Sequence, residues 1–382
     1  MRTLMGRLEL AELDSIDSIR RAAAEWDDLW QHSALTLPSM RAEPLCLWLA
    51  HFARDAQVRA LVVSRGGQMQ AALPLIQSSR CRLFATGAQP VNEWALAGDL
   101  LLTSEEPPRD TLAALIEGLK KQPWPLLWFD RVAIAAPHWQ ALQQALQRAG
   151  VAHHFQPHWQ SGLIEIGHDW EASVRRWPKK HVAKMQKAQS RLAESGTVGL
   201  EIKSRFADDE VEPWLRRACQ LEDLSWKGTA GTSVLRTPGM FEFYLRQARQ
   251  LAAWGQLEIA FLTCDGADAA FVICLPAKGR CHWLKIGYHP DQKCCSPGQL
   301  LQYLILQQFQ EEPERKAIDL LGPITPALQR WEPTPYVVGR LLIAPRAGVG
   351  RLMLRACRDW WPRVKRFLPR AADTPAGSTV AM

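Results

Sequence analysis

The residues best placed to do chemistry lie between Leu257 and Trp331. Lys285 sits inside an apolar run, Trp283-Leu284-Lys285-Ile286. A lysine turned inward there is costly unless it is paired or used. Tyr288 closes the same run, and Asp319, in Ile318-Asp319-Leu320-Leu321-Gly322, offers either a partner for Lys285 or a second carboxylate for a site. Ser296-Pro297-Gly298 reads as the start of a helix that continues from Gln299. Ser is a good N-cap, Pro suits the first helical position, and Gly lets a ligand approach the backbone. A helix start placed just after a strand binds phosphate through its N–H groups. The plain alternative is an ordinary capped helix.

These residues need a scaffold, and the surrounding sequence supplies one. Leu257–Leu262 is a bounded apolar run and is expected to be a buried strand. Asp265-Gly266 marks a hairpin, because Gly takes positive φ at no steric cost. Ala269–Leu275 and Cys281–Tyr288 are the next strands, Gln299–Phe309 the helix, and Ile318–Leu321 the closing strand. The same order of parts occurs 200 residues earlier. Gly66 matches Gly266, Leu75 matches Leu275, Arg80-Cys81 match Arg280-Cys281, and Gly87 matches Gly287. A helix near Asp110–Lys121 then precedes the strand Trp128-Phe129-Asp130. This is an internal duplication. The fold class is α/β, two tandem units, each a mixed, mostly antiparallel sheet flanked by helices.

At 382 residues the chain has room for two domains. The expected divisions are 1–160, 161–345, a basic amphipathic segment 346–370 and a disordered tail 371–382. Helices are expected at Ile16–Gln31, Pro44–Ala53, Pro137–Ala149 and Trp170–Ser195, and strands at Arg2–Leu13 and Val151–Ile166. Between Arg175 and Arg191 the fourth helix carries seven basic residues and no acid. It is either a solvated face or a guide for an anion. The net charge of +7 favours an anionic partner: a phosphate-bearing cofactor, RNA or an anionic membrane surface. DNA is not expected. The nine cysteines form no CxxC pair, which suits a reducing cytoplasm, and the inner face of a membrane is the alternative location. His153, His154 and His158 have no Cys or carboxylate pattern beside them, so no metal is expected. Cys294-Cys295 would need a paired histidine to act as a nucleophile.

Three segments resemble the GNAT superfamily of N-acyltransferases, in its CelD-like branch related to the FemAB peptidyltransferases. They are LEDLSWKG (Leu221–Gly228) followed by Met240–Gly266, LKIGYHP (Leu284–Pro290) with SPGQLL (Ser296–Leu301), and IDLLG (Ile318–Gly322) with Trp331 downstream. Together they span roughly residues 160–335, and the first half looks like a degenerate partner unit. The resemblance implies an acyl-CoA thioester as donor and an amine as acceptor, or an aminoacyl-tRNA as donor, as in FemAB relatives. A neutral amine attacks the thioester carbonyl, so a base must take a proton, an N–H must hold the oxyanion, and the thiolate is protonated on leaving.

The resemblance assigns roles residue by residue. Glu222 is the candidate base, Tyr288 the candidate acid, and Lys285 and Asp319 complete the catalytic group. Ser296, Pro297, Gly298 and Gln299 would hold the donor's phosphates. Trp226, Lys227, Arg330 and Trp331 would face the acceptor. Relatives place a Gln or Arg before Gly-rich spacing at the phosphate turn, where this chain keeps only Gly298, and a lysine where this chain has Leu328. The expected function is N-acyl transfer from acyl-CoA to an amine, on an envelope or polysaccharide precursor, in a ternary complex. The alternatives are aminoacyl transfer from tRNA and a catalytically degenerate GNAT scaffold that binds an anionic partner.

Overall fold

A computed structural model describes residues 6–81, 84–104 and 107–360. The described chain divides into two compact units, 6–159 with 337–360, and 160–336. The first begins with β1 (Leu8–Leu13), α1 (Ile16–Arg21), α2 (Ala23–His32) and α3 (Ala42–Phe52). It continues through β2 (Val58–Arg65), β3 (Gln68–Cys81), β4 (Phe84–Ala88), β5 (Leu101–Leu102), α4 (Arg109–Lys121), β6 (Leu127–Ala133) and α5 (Pro137–Arg148). The strand β7 (Ala152–Glu165) carries the chain into the second unit. There follow α6 (Trp170–Arg176), α7 (Lys179–Ser195), β8 (Val198–Lys203), α8 (Val211–Asp223), α9 (Trp226–Thr229) and α10 (Met240–Ala253). Then come β9 (Glu258–Cys264), β10 (Ala267–Ala277), β11 (Arg280–Tyr288), α11 (Pro297–Phe309) and β12 (Ala317–Asp319). The chain returns to the first unit in β13 (Thr334–Ala344) and α12 (Val349–Arg355).

The duplication is visible in the strand order. In the first unit it runs β1-β2-β3-β4-β6-β13, antiparallel except for the parallel pair β4–β6. In the second it runs β8-β9-β10-β11-β12-β7, antiparallel except for the parallel pair β11–β12. In each case a crossover helix, α4 or α11, lies between the two parallel strands in sequence, as a parallel connection requires. The β9–β10 turn has Asp265 at φ 48° and Gly266 at φ 77°, two left-handed residues that match the twist of a two-residue hairpin. Strands β9 and β10 are almost wholly buried because helices cover the sheet. On one face Met185 and Leu192 of α7 and Leu301, Leu306 and Phe309 of α11 pack on Leu262, Val272 and Cys274. The first unit has its own core, with Leu115, Leu119, Trp124, Phe129 and Trp139 at its centre.

Several expectations need correction. The helix expected over Trp170–Ser195 is two helices, broken where Pro178 follows Trp177. Pro excludes helical backbone from the residue before it, and Trp177 is extended at φ −74°, ψ 152°. The helix expected over Ile16–Gln31 is likewise interrupted at Ala22. Strands β8 and β13 were not anticipated, and β13 from Val337 onward belongs to the first unit, not to a second unit ending at 345. The C-terminal helix ends at Arg355 and widens into a π-helical turn, Ala356–Trp360. The rest of the expected segment to Arg370, and the tail 371–382, lie outside the described residues. No helix among the described residues is long and apolar enough to cross a membrane.

Candidate active site

In the second unit the parallel ladder between β11 and β12 has three rungs, Arg280–Ala317, Cys281–Ile318 and His282–Asp319. It stops there, while β11 continues to Tyr288. On its other side β11 stays bonded to β10, with a bulge that passes from Trp283–Cys274 to Lys285–Ile273 and leaves Leu284 as the extra residue. Bulges re-aim side chains, and this one does so at Lys285. The strands therefore part beyond His282, and the segment 283–288 has no ladder on its β12 side. Just after Tyr288 a short 3-10 turn, Pro290–Cys295, leads into α11. Ser296 is not the side-chain cap that its residue type suggested. It is left-handed, at φ 47° and ψ 49°, and makes no capping hydrogen bond. No side chain caps the helix start; Pro297 brings no N–H and the Gln299 N–H donates to the Ser296 carbonyl at 3.0 Å, so an anion there would meet the Gly298 N–H. Gly298 faces Tyr288: a Cβ there would lie 3.5 Å from the Tyr288 ring. Gln299 accepts a hydrogen bond from Lys184 of α7 at 3.4 Å and donates to the Ala327 carbonyl at 3.5 Å.

Lys285 begins the second part of the site. The bulge turns it to the sheet face covered by α8 and α10, where it is 4% exposed. There it donates to Glu222 Oε1 at 3.2 Å, and Lys227 donates to the same oxygen at 2.8 Å. The other carboxylate oxygen accepts from the Val234 N–H at 3.0 Å. Burial pushes the Glu222 carboxyl up, but the Lys285 and Lys227 charges, the Lys227 hydrogen bond and the Val234 N–H outweigh it and hold the pKa at about 2. Glu222 is therefore a buried carboxylate that is ionised at neutral pH, not the surface residue its helical position allowed. A group so acidic takes up protons poorly, which argues against the base role expected of it. Burial pulls Lys285 down, but the Tyr244 hydroxyl and Glu222 more than reverse this, and its pKa is raised. The Lys285 ammonium also lies 4.9 Å from the centre of the Tyr244 ring. Lys227 moves the other way: burial, then the like charge of Lys285, lowers it despite Glu222.

The motif that carries Lys227 has a local physical reason. Ser225 caps α9, accepting from the Lys227 N–H at 3.2 Å. Gly228 lets that turn press against the end of α8, since a Cβ there would fall 1.7 Å from the Asp223 carbonyl oxygen. Only glycine tolerates that approach. The result folds the Lys227 side chain back onto Glu222, five residues earlier. Asp223 itself is taken by Arg236, at 3.0 Å, and by Ser233. Trp226 and Leu224 stand outside the cluster, 47% and 53% exposed.

The remaining expected residues separate. Asp319 is not a partner of Lys285; it accepts from the Tyr336 hydroxyl at 2.7 Å and the Leu321 N–H at 2.9 Å. Tyr288 is half-exposed and stands by the start of α11. Trp331 is a core residue and not a contact surface: it is 0% exposed, donates to Gln302 at 2.8 Å and is ringed by Trp177, Tyr303 and His181. Arg330 is exposed beside it. Sequence reasoning missed His181, which is buried against Trp331 with no hydrogen-bond partner for either ring nitrogen. Burial, then Arg330 and Lys184, pushes its pKa down to about 4. It also missed Tyr244, whose helical spacing looks like any core aromatic. Glu258, Cys274 and Cys281 cluster in the interior, where Arg315 donates to Glu258 at 2.5 Å.

Residues 179–330 match the family model described as acetyltransferase (GNAT) domain. Among solved structures the chain is similar to FemX, with 11% identity and a TM-score of 0.56, covering 87% of this chain and 96% of that one. It is also similar to the C-terminal domain (DUF2156) of a protein named as a lysylphosphatidylglycerol synthetase from Agrobacterium fabrum, with 13% identity, a TM-score of 0.53, and coverage of 89% and 96%. A third similar structure is L-PGS from Bacillus licheniformis, with 11% identity, a TM-score of 0.50, and coverage of 88% and 96%. At these identities the likeness is one of fold. No curated protein matches the chain.

Proposed function

We propose that this chain, whose residues 179–330 match the acetyltransferase (GNAT) domain model, is a transferase that moves an acyl group from a CoA thioester to an amine. The observation that carries the reading is the parting of β11 from β12 beyond His282, directly before an uncapped helix start. A thioester laid along 283–288 would meet backbone N–H groups able to hold the oxyanion. Its pyrophosphate would reach the start of α11 at Gly298, with Lys184 beside it. Tyr288, next to Gly298, is positioned for the departing thiolate. The Glu222–Lys285–Lys227 cluster lies on the sheet face from which the acceptor would approach, and exposed Trp226 offers that acceptor an apolar surface. An envelope or polysaccharide precursor is the class of acceptor this reading favours.

A second reading has an aminoacyl-tRNA as donor. The observation favouring it is that all seven basic residues from Arg175 to Arg191 are exposed on α6 and α7. Thermal-shift titration separates the two, using CoA, acetyl-CoA and a long-chain acyl-CoA, with ATP and pyrophosphate as controls. A donor at ~100 times its Kd stabilises the fold by about 2.7 kcal/mol. A shift with acyl-CoA beyond the controls supports the thioester reading. No shift with any of them, together with salt-dependent binding of charged tRNA, supports the second.

A further inference from the structure

We infer that Lys227 is the general base, the group that takes the proton from the acceptor's ammonium form, while Glu222 and Lys285 fix its position. The inference deepens the acyl-transfer reading and rests on it. Its ground is geometric. Two ammonium groups, on Lys227 and Lys285, are within hydrogen-bonding reach of one carboxylate oxygen of Glu222. The neighbouring carboxylate, Asp223, is engaged by Arg236 and Ser233. Two like charges sharing one counter-charge away from water repel each other strongly. One of them is thereby the easier to deprotonate.

The surroundings decide which. Lys285 is sealed, 4% exposed at its side chain, and faces both Glu222 and the Tyr244 hydroxyl of α10, so its ammonium is the better supported. Lys227 is the outer of the two, 11% exposed, on the short helix that also presents Trp226. The titratable groups facing it are Glu222 and Cys219 on α8 and Lys285 on β11. Burial and Lys285 lower it, and Cys219 is itself a protonated thiol, pushed up to about 12. A lysine whose ammonium is disfavoured by burial and by a second cation releases its proton more readily than an exposed one, which suits it to proton abstraction.

The step balances without any further reactant. The neutral Lys227 amine accepts one proton from the acceptor's ammonium. The freed amine forms the C–N bond at the thioester carbon and the C–S bond breaks. Of the two protons left on the attacking nitrogen, one goes to the leaving thiolate and the other stays as the amide N–H, and Lys227 returns its proton to solvent. Glu222 keeps its charge while Lys227 is neutral because the Lys285 ammonium and the Val234 N–H still support it.

Two measurements test this, one independent of turnover. In competitive labelling with trace acetic anhydride across pH 6 to 11, read by peptide mass spectrometry, Lys227 is expected to reach half-maximal reactivity at least one pH unit below exposed Lys179 and Lys180 of the same sample. Lys285→Met should move that midpoint upward by removing the like charge. Co-titration of Lys227 with Lys179 and Lys180 overturns the inference. The second measurement compares Lys227→Arg with the parent for acetyl transfer from acetyl-CoA to a panel of primary amines, with acetyl-CoA binding followed by thermal shift. Arg keeps the ion pair but cannot accept a proton, so binding should persist while turnover falls at least 100-fold. Retained turnover in Lys227→Arg overturns the base role. Absence of acetyl-CoA binding in the parent overturns the thioester reading instead, and the labelling result still decides whether Lys227 holds a displaced proton.

Discussion

Replacing Glu222 by Gln tests the centre of the site as a piece of physics before any substrate is known. The change keeps the shape of the side chain and an oxygen for the Val234 N–H, but leaves the Lys227 and Lys285 ammonium groups buried without their counter-charge. Two routes give the cost. The carboxyl is held at about 2 against an ordinary 4.5. At 1.36 kcal/mol per unit that is about 3 kcal/mol of stability at neutral pH. Breaking a buried ion pair by removing one partner costs about 3–5 kcal/mol in general. The agreement makes about 3–4 kcal/mol the expected loss. The sign in pH follows from a depressed folded pKa. The contribution is fully present above the unfolded value near 4.5 and drains away as pH falls toward 2. Urea unfolding followed by tryptophan fluorescence at pH 7 and pH 3 should show a wide gap between parent and Glu222→Gln at pH 7 that narrows at pH 3. Adding Lys285→Met to Glu222→Gln should recover part of the loss, because it removes one stranded charge. A variant within about 0.5 kcal/mol of the parent at pH 7, or a gap that does not change with pH, would refute the triad as described.

Two glycines give contrasting expectations. Gly298→Ala places a Cβ in ordinary contact, 3.5 Å from the Tyr288 ring, so stability should stay within about 0.5 kcal/mol of the parent. Under the proposed thioester reading the methyl stands where a phosphate would approach the backbone, and acetyl-CoA affinity measured by calorimetry should fall about tenfold, or ~1.4 kcal/mol. Gly87→Ala drives a Cβ to 2.4 Å from the Trp124 ring and 2.6 Å from Leu127, so it should destabilise the first unit by about 1–3 kcal/mol in denaturant unfolding.

The same Gly87 shows how the parallel ladders of the two repeats differ in the described residues. In the first unit the parallel ladder reaches the last residues of β4, Gly87–Leu127 and Ala88–Trp128, and Trp124 fills the space against Gly87. In the second unit the ladder lies at the beginning of β11 and stops at His282, six residues before the strand ends. The helix that follows β4 starts 21 residues after it, whereas α11 starts nine residues after β11. Repeat-level matching put Gly87 and Gly287 in register, but register does not say which rung of a ladder is the last.

Much of the second unit was legible because local signals agreed with one another. The Asp265-Gly266 hairpin, the three buried strands and the helix after Ser296-Pro297-Gly298 each carry their own turn or cap chemistry. Lys285 was legible through cost: a cation in an apolar run had to find a partner. The partner was not legible. Asp319 is adjacent by strand order, but Glu222, 63 residues upstream, reaches Lys285 because the β11 bulge turns it toward α8. Strands β8 and β13 escaped notice because neither has a hairpin turn of its own to announce it. Val198–Lys203 is only half-buried throughout, and Thr334–Ala344 mixes buried and exposed positions without strict alternation. Pro178 was in plain view, and the run of basic residues across it concealed a break that proline chemistry demands.

The first unit is interrupted in sequence by the second, and this bears on the order in which the chain becomes a protein. Residues 160–336 are contiguous, so the ribosome delivers that unit whole. The strand β6, by contrast, is complete by Ala133, yet its neighbour β13 is not synthesised until Thr334–Ala344. For some 200 residues of elongation, β6 presents an unpaired edge with Phe129 and Val132 behind it, and open edges of that kind recruit other strands. Translation speed and chaperone supply should therefore govern the yield of the first unit far more than that of the second.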